Sequence, residues 1–473
     1  MSFYHNCQAV PCRFRLILSS FMQHDGLPFS EALPEAEIER VFAEEGATFA
    51  QDEDAIYTPA ITLWAFLSQV LHKDEQRSCL AAVARVITLL VVLGKKPCGE
   101  DSGVYCRARA KLSEPVLERL ALQTAERCES QLPEQWLWRG RHVKLVDGTT
   151  VSMPDTPENQ AAYPQQRRQK PGVGFPISRM VVLFSLATAM VCGMAMCPYA
   201  GKKTGETALL RQLFDQLDKG DILLADRYYC SYFMIALLRE LGIDIVVRMH
   251  QLRKTDFRRG RRLGRDDHLV RWTRPQRPAW MDGETYKRMP EFIEVREVRV
   301  QVKQPGFRDK SLTIVTTLTN ATRYTKDDLA ELYQKRWLAE LDLRALKCSL
   351  GMDVLRCKSP QMVRKEIWVC LLAYNLIRRM MLQAASQSDL SPRQISFAAA
   401  MQKIVASWMI LPLQDDLKVT IIIIHLTGLI THRVSNRPDR VEPRAVKRRP
   451  KPHKLLTKPR AQARAELLDA NSA

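Results

Sequence analysis

The chain has 473 residues, 46% of them hydrophobic and 26% charged, and its 71 Lys and Arg against 52 Asp and Glu give a formal net charge of +19. This is the composition of a globular protein with room for about two to four domains, and it excludes a disordered, fibrous or membrane-embedded chain. The positive excess suits a polyanionic partner, nucleic acid first, although charge speaks to association and not to chemistry.

The twelve cysteines are scattered without a CxxC pair, and several sit in apolar runs (Cys192, Cys197, Cys370). That pattern argues against a zinc site or a disulfide framework and fits a reducing cytoplasm. No signal peptide opens the chain. The longest apolar run, Met180 to Cys197, carries Gly193 and reads as two buried strands rather than a membrane span. The expectation is a soluble, cytoplasmic protein with no membrane partner.

Residues 1–135 read as a helical region, with helix-period apolar positions over Glu35–Glu44, Ala60–Leu71, Cys79–Leu93 and Glu114–Glu129. Within it, Asp101-Ser102 caps a segment carrying Arg107, Arg109 and Lys111 at alternating positions. This is either the start of a nucleic-acid-reading helix or an amphipathic surface helix with solvated charges.

From about 136 to 350 short apolar runs alternate with helical ones. Strands are expected at Val143–Thr150, Met180–Ala187, Met190–Met196, Asp221–Asp226 and Ile243–Arg248, with helices at Thr207–Leu217 and Tyr232–Leu241. Such alternation implies an α/β layer with a mixed sheet. Between about 250 and 320 the chain turns basic and β-rich, with strands at Glu294–Val302 and Leu312–Leu318. The cluster Arg258–Arg265 there is either a phosphate-contacting patch or a solvated loop, and Trp280 is the aromatic best suited to touch a base.

Next comes a long helix from the capping-box-like Thr325-Lys-Asp-Asp328 to a stop at Gly351. At about 100° per residue, Tyr333, Arg336, Glu340 and Lys347 fall within an arc of roughly 60°. The same wheel puts Leu332, Ala339, Leu343, Leu346 and Leu350 on a neighbouring buried stripe. Asp327, Glu331, Gln334, Lys335 and Asp342 fall on the opposite, solvent-facing side. A second helical region spans 351–430, with helices at Val363–Gln383 and Ser396–Trp408. A basic, Pro-broken tail at 431–473 includes Arg444–Lys451.

Asp147 and Asp226 each end an apolar strand, where a buried run releases an acid above the sheet edge. With Glu340 they make three carboxylates able to converge. Hard oxygen ligands suit Mg²⁺ or Mn²⁺, and two such ions about 4 Å apart support an in-line phosphoryl transfer. Arg336 and Lys347 flank the carboxylate within reach of phosphates, and Tyr333 can bond a phosphate oxygen or stack on a base.

Asp147-Gly-Thr-Thr, Leu224-Ala-Asp226-Arg227 and Tyr333-x2-Arg336-x3-Glu340-x6-Lys347 resemble the DDE transposases of bacterial insertion sequences, in the IS-four group. So do Pro154–Asn159, Lys365-Glu366 and Ala373-Tyr374-Asn375-Leu376. The chain departs from many relatives at Tyr228, where they carry a small residue. The resemblance implies an α/β, RNase H-like catalytic core with a mixed sheet, interrupted by the β-rich insertion and flanked by helical N- and C-terminal regions, the former DNA-binding. It implies Asp147, Asp226 and Glu340 as catalytic ligands of two Mg²⁺ (or Mn²⁺) ions, with Tyr333, Arg336 and Lys347 on DNA at the cleaved end. Trp280 would hold a flipped base. The partners implied are double-stranded DNA, as element ends and target, and a second copy in a homodimeric synaptic complex. The expected activity is cleavage of element ends and joining of their 3′-hydroxyls to target DNA. The alternatives are an inactive, transposase-derived DNA-binding protein and a structure-selective nuclease.

Overall fold

Alternating apolar residues around position 145 form the centre of the molecule. In the computed structural model, which describes residues 56–92, 94–301, 311–408, 424–434 and 456–470, β1 (Val143–Ser152) pairs antiparallel with β2 (Ile177–Ser185) and parallel with β4 (Ile222–Ala225). Beyond β2 lies β3 (Val191–Pro198), and beyond β4 lies β5 (Asp244–Arg248), parallel to it. The order β3-β2-β1-β4-β5, three antiparallel strands followed by two parallel ones, is the mixed sheet expected of an RNase H-like core.

The sheet continues through β9 (Ser311–Thr316), β8 (Phe292–Gln301), β7 (Asp267–Thr273) and β6 (Arg261–Gly264), all antiparallel. The β-rich insertion therefore lengthens the catalytic sheet instead of standing apart, because β9 pairs directly with β5.

Strand alternation assigns each face its own core. Val143, Leu145, Ile222 and Leu224 face a helical layer, while Val146, Leu223 and Ala225 face α5 (Glu206–Arg211) and α6 (Tyr232–Glu240). The helical layer joins α1 (Pro59–Leu71), α2 (Cys79–Val92), α3 (Ser102–Lys111) and α4 (Glu114–Ser130) to α9 (Pro360–Ser386) and α10 (Phe397–Ser407) in one apolar cluster. Trp64 of α1 stacks on Trp408 at 5.6 Å between ring centroids. At the centre, fully buried Asn375 of α9 exchanges hydrogen bonds with the Val191 N–H and C=O and donates to the Ala121 carbonyl. The expected boundaries at 135 and 350 are thus not marked by separate cores.

The expected helix at Glu35–Glu44 and the basic run Arg444–Lys451 lie outside the described residues. Within the tail, α11 (Arg460–Ala470) sets Arg460 on the Asp155 carboxylate at 2.6 Å and over the Phe175 ring. The described cysteines are all free thiols. Among the described residues no helix is long and apolar enough to cross a membrane.

The segment expected to be one long helix differs in two ways. It begins with the anticipated capping box, Thr325 and Asp328 each bonding the other's backbone N–H. It then divides into α7 (Lys326–Gln334), α8 (Trp337–Arg344) and a final wide turn, Ala345–Ser349, closed by Leu350 N–H to Ala345 C=O. Between α7 and α8, bonds such as Arg336 N–H to Tyr333 C=O span three residues, and Arg336 keeps helical dihedrals, so the rod pinches without breaking. Gly351 ends it at φ +68°, where a Cβ would meet the Arg77 guanidinium.

The second difference is Asp342. Helical periodicity assigns it to the solvent side with Asp327, Glu331 and Gln334, yet it is 1% exposed. Its carboxylate accepts from Arg378 of α9 at 2.8 Å and from Arg393 at 2.9 Å. Arg393 also donates to the carbonyls of Ser185 and Leu186 at the end of β2. The face expected to meet water therefore meets the rest of the fold through buried charge.

Candidate active site

Asp147 lies in the middle of β1 and not at its end, as the sequence suggested; what ends there is its partner. β4 stops at Ala225 while β1 continues to Ser152, so past Leu145↔Leu224 the parallel ladder runs out and the register brings Asp147 beside Asp226. Asp147 Oδ1 accepts the Gly148 N–H at 2.8 Å, and Asp226 Oδ1 accepts the Arg227 N–H at 2.6 Å, capping the short turn Arg227–Tyr229. Tyr228, the departure from the family pattern, projects half-exposed from this turn, edge-on to Tyr229.

Glu340 reaches the pair from α8. Its Oε1 accepts from Arg336 Nη2 at 2.7 Å, a pair only partly open to solvent. Lys347, in the wide turn, donates to Thr149 Oγ1 at 3.3 Å, two residues beyond Asp147 on β1. Tyr333 is 8% exposed and feels the charges of Arg336 and Asp226; burial holds its phenol well above the ordinary value. The four-residue face read from the sequence therefore lines β1 and the tip of β4.

Burial pushes the Asp147 carboxyl up to about 6, opposed by the Gly148 N–H and Arg336 and reinforced by the negative charges of Glu340 and Glu206. Glu206 is a fourth acid that sequence reasoning missed. Its own carboxyl is raised by burial, opposed by Arg179 and reinforced by Asp226. The signal for it was Gly148: a Cβ there would stand 2.4 Å from the Glu206 carboxyl carbon.

Raised above its ordinary value of 3.8, Asp147 favours the folded state while protonated, and that contribution is lost as pH rises from about 4 through about 6. In chelator-treated protein, Asp147→Asn is therefore expected to raise the thermal unfolding midpoint at pH 8 and to leave it nearly unchanged at pH 4. Differential scanning fluorimetry at the two pH values checks this, and equal shifts at both would contradict it.

The remaining expected residues are elsewhere. Trp280 is 38% exposed, with its ring face under the Arg211 guanidinium at 3.8 Å and its edge toward Phe233. It thus packs on the far end of α5, the helix that Glu206 begins. Arg107 is exposed on α3. Arg109 points inward instead, over the Phe66 ring at 4.8 Å and to Gln69 Oε1 at 2.9 Å, because α3 turns that face onto α1.

The donors gathered at β1 are hard oxygens of the kind Mg²⁺ and Mn²⁺ take, and their mutual repulsion is what a divalent cation relieves. Glu340 is paired with Arg336, and no three acidic, imidazole or thiol groups among the described residues stand close enough to share one ion. The donor chemistry fits such an ion.

Residues 138–376 match the family model described as "Transposase DDE domain". The chain is 27% identical over 398 residues to the transposase InsG for insertion sequence element IS4 of Escherichia coli K12, covering 82% of this chain and 85% of that protein. It is 23% identical over 286 residues to the probable transposase for insertion sequence element IS5377 of Geobacillus stearothermophilus, covering 60% and 68%. Among solved structures, a chain of the piggyBac transposase synaptic complex with hairpin DNA aligns over 91% of this chain and 86% of that one. The TM-score is 0.40 at 10% identity, a likeness too loose to argue from.

Proposed function

Because the chain belongs to the DDE transposase family, we propose that Asp147, Asp226 and Glu340 are the catalytic carboxylates with which this DNA transposase cuts the ends of an insertion sequence and joins them to target DNA. The observation that carries the assignment is the end of the β1–β4 ladder, where two acids from adjacent parallel strands face a third on α8.

The family's chemistry depends on divalent metal; in this reading two Mg²⁺ or Mn²⁺ ions, when bound, activate the attacking oxygen and stabilise the leaving one. Asp147 and Asp226 hold fixed positions, each anchored by the backbone N–H that follows it. Glu340 is the adjustable donor, released from Arg336 on engaging the site. The freed guanidinium and Lys347 then serve the scissile phosphate and its neighbours, where charge develops during transfer. Tyr333 is too buried to stack on a base, and its support for a DNA role is its place beside Asp226 and Arg336. The exposed Arg107, the basic insertion and the net charge supply further phosphate contacts. A homodimer brings the two element ends together. Trp280 serves a flipped base only if Arg211 leaves its ring.

The test is to incubate the full chain with Mg²⁺, a fragment carrying its element's ends and a supercoiled target. Joined 3′-ends support the reading. Nicks without joining would point to a nuclease, and end binding without cleavage to an inactive DNA-binding protein.

A further inference from the structure

We propose that a pocket between the N-terminal helices and the segment after Gly351 binds a phosphate dianion, held by Arg77, Arg109 and Arg356.

The pocket has a volume of about 140 Å³ and is walled by α1, the start of α2, α3, residues 356–357 and α9. Three guanidiniums and one carboxylate, Glu366, line it, an excess of two positive charges. Glu366 is fully engaged. It accepts the backbone N–H groups of Arg356 and Cys357, each at 2.9 Å, and pairs with Arg77 at 3.5 Å. Arg77 also donates to the Gly351 carbonyl at 2.9 Å.

Arg109 is the charge left without a counterpart. Its Nη1 donates to Gln69 Oε1, an oxygen that also accepts from the Tyr105 hydroxyl, and its plane lies over the Phe66 and Tyr105 rings. Its Nε is buried and has no hydrogen-bond partner. Among the described residues no carboxylate pairs with it; the titratable groups around it are Tyr105 and the thiols of Cys79, Cys106 and Cys357. A guanidinium taken out of water without a counter-charge is costly, and an anion in the pocket that it lines supplies one.

Size and charge name the ligand class. Pockets for drug-sized ligands begin at about 300 Å³, so this one suits a single tetrahedral oxyanion, free or at the end of a larger molecule, and not a nucleoside. The excess of two charges matches a dianion, and each guanidinium fork can pair two phosphate oxygens at once. Ser78 and Cys79 add the positive end of the 14-residue α2 to the same wall. A phosphate there bridges Arg77 and Arg109 of the N-terminal region to Arg356, just beyond the turn that carries Lys347.

The test is calorimetric titration of the full-length, DNA-free chain with inorganic phosphate, at constant ionic strength in chloride to screen the general attraction of a basic protein for anions. Wild type is compared with Arg109→Gln and with Arg107→Gln, an exposed position on the same helix. Arg109→Gln is expected to weaken phosphate binding by about tenfold or more, and Arg107→Gln to leave it unchanged. No binding by wild type, wild-type binding by Arg109→Gln, or equal weakening by both variants overturns the pocket. Should Arg109→Gln fail to fold, Arg356→Gln gives the same decision. A short duplex with a 5′-phosphate or a 5′-hydroxyl then separates the two sources of the group. A preference for the phosphorylated end that Arg109→Gln abolishes supports the pocket with DNA as its occupant; no preference, with the phosphate titration intact, supports it with the free ion.

Discussion

Glu340→Gln is expected to reduce metal-dependent cleavage of element ends by at least about 10³-fold, a loss of about 4 kcal/mol of transition-state stabilisation. The substitution keeps the size and an oxygen acceptor for Arg336, so α7, α8 and their capping box remain. What it removes is the negative charge that has to exchange Arg336 for a cation. Binding to the same ends should stay within about threefold, because Arg336 and Lys347 continue to present their charges to phosphate. Denaturing gels of a labelled end fragment measure the cleavage, and gel shifts at fixed salt measure the binding. Cleavage near the wild-type rate would sink the assignment of Glu340. Parallel loss of cleavage and binding would make it a DNA-contact residue instead.

The second large effect concerns stability. Asp342→Ala is expected to destabilise the fold by about 3–5 kcal/mol, because it leaves Arg378 and Arg393 buried without their counter-charge. Both guanidiniums keep some partners, Arg378 the Tyr374 hydroxyl and Arg393 the carbonyls that follow β2, but these neutral groups do not offset the lost carboxylate. The same site ties α8, which carries Glu340, to α9 and to the sheet, so stability and positioning of the acid share a support. Urea unfolding of the variant checks the magnitude; a midpoint unchanged from wild type would show that the triad holds nothing. Asp342→Asn, which retains hydrogen-bond acceptance, should fall between the two.

Much of the architecture was legible because it is written locally. The apolar alternation of Val143–Val146 and the runs at Ile222–Ala225 and Asp244–Arg248 became strands at nearly the expected limits. Thr325 and Asp328 signalled a helix start through bonds that span only three residues. Asp226 stood out for a related reason: an acid directly after a buried strand is conspicuous against its neighbours. Where the expectation missed, the cause was long-range. Arg109 looked available for DNA until α1 supplied Phe66 and Gln69 beneath it. The basic, β-rich insertion was expected to interrupt the core, and only the pairing of β9 with β5 made it an extension of the same sheet.

The sequence by itself determined the order of the strands β1 to β5 and the start of the segment that carries Tyr333, Arg336, Glu340 and Lys347, since each depends on hydrophobic periodicity or spacing within about twenty residues. Only the tertiary structure decided that Asp342 turns inward and that Glu206 comes to rest on Gly148. Periodicity registers burial only where the buried side chains are apolar. Asp342 is buried by arginines 36 and 51 residues away, and Glu206 by a glycine on another strand. Charges satisfied by partners that distant leave no mark on their own stretch of chain.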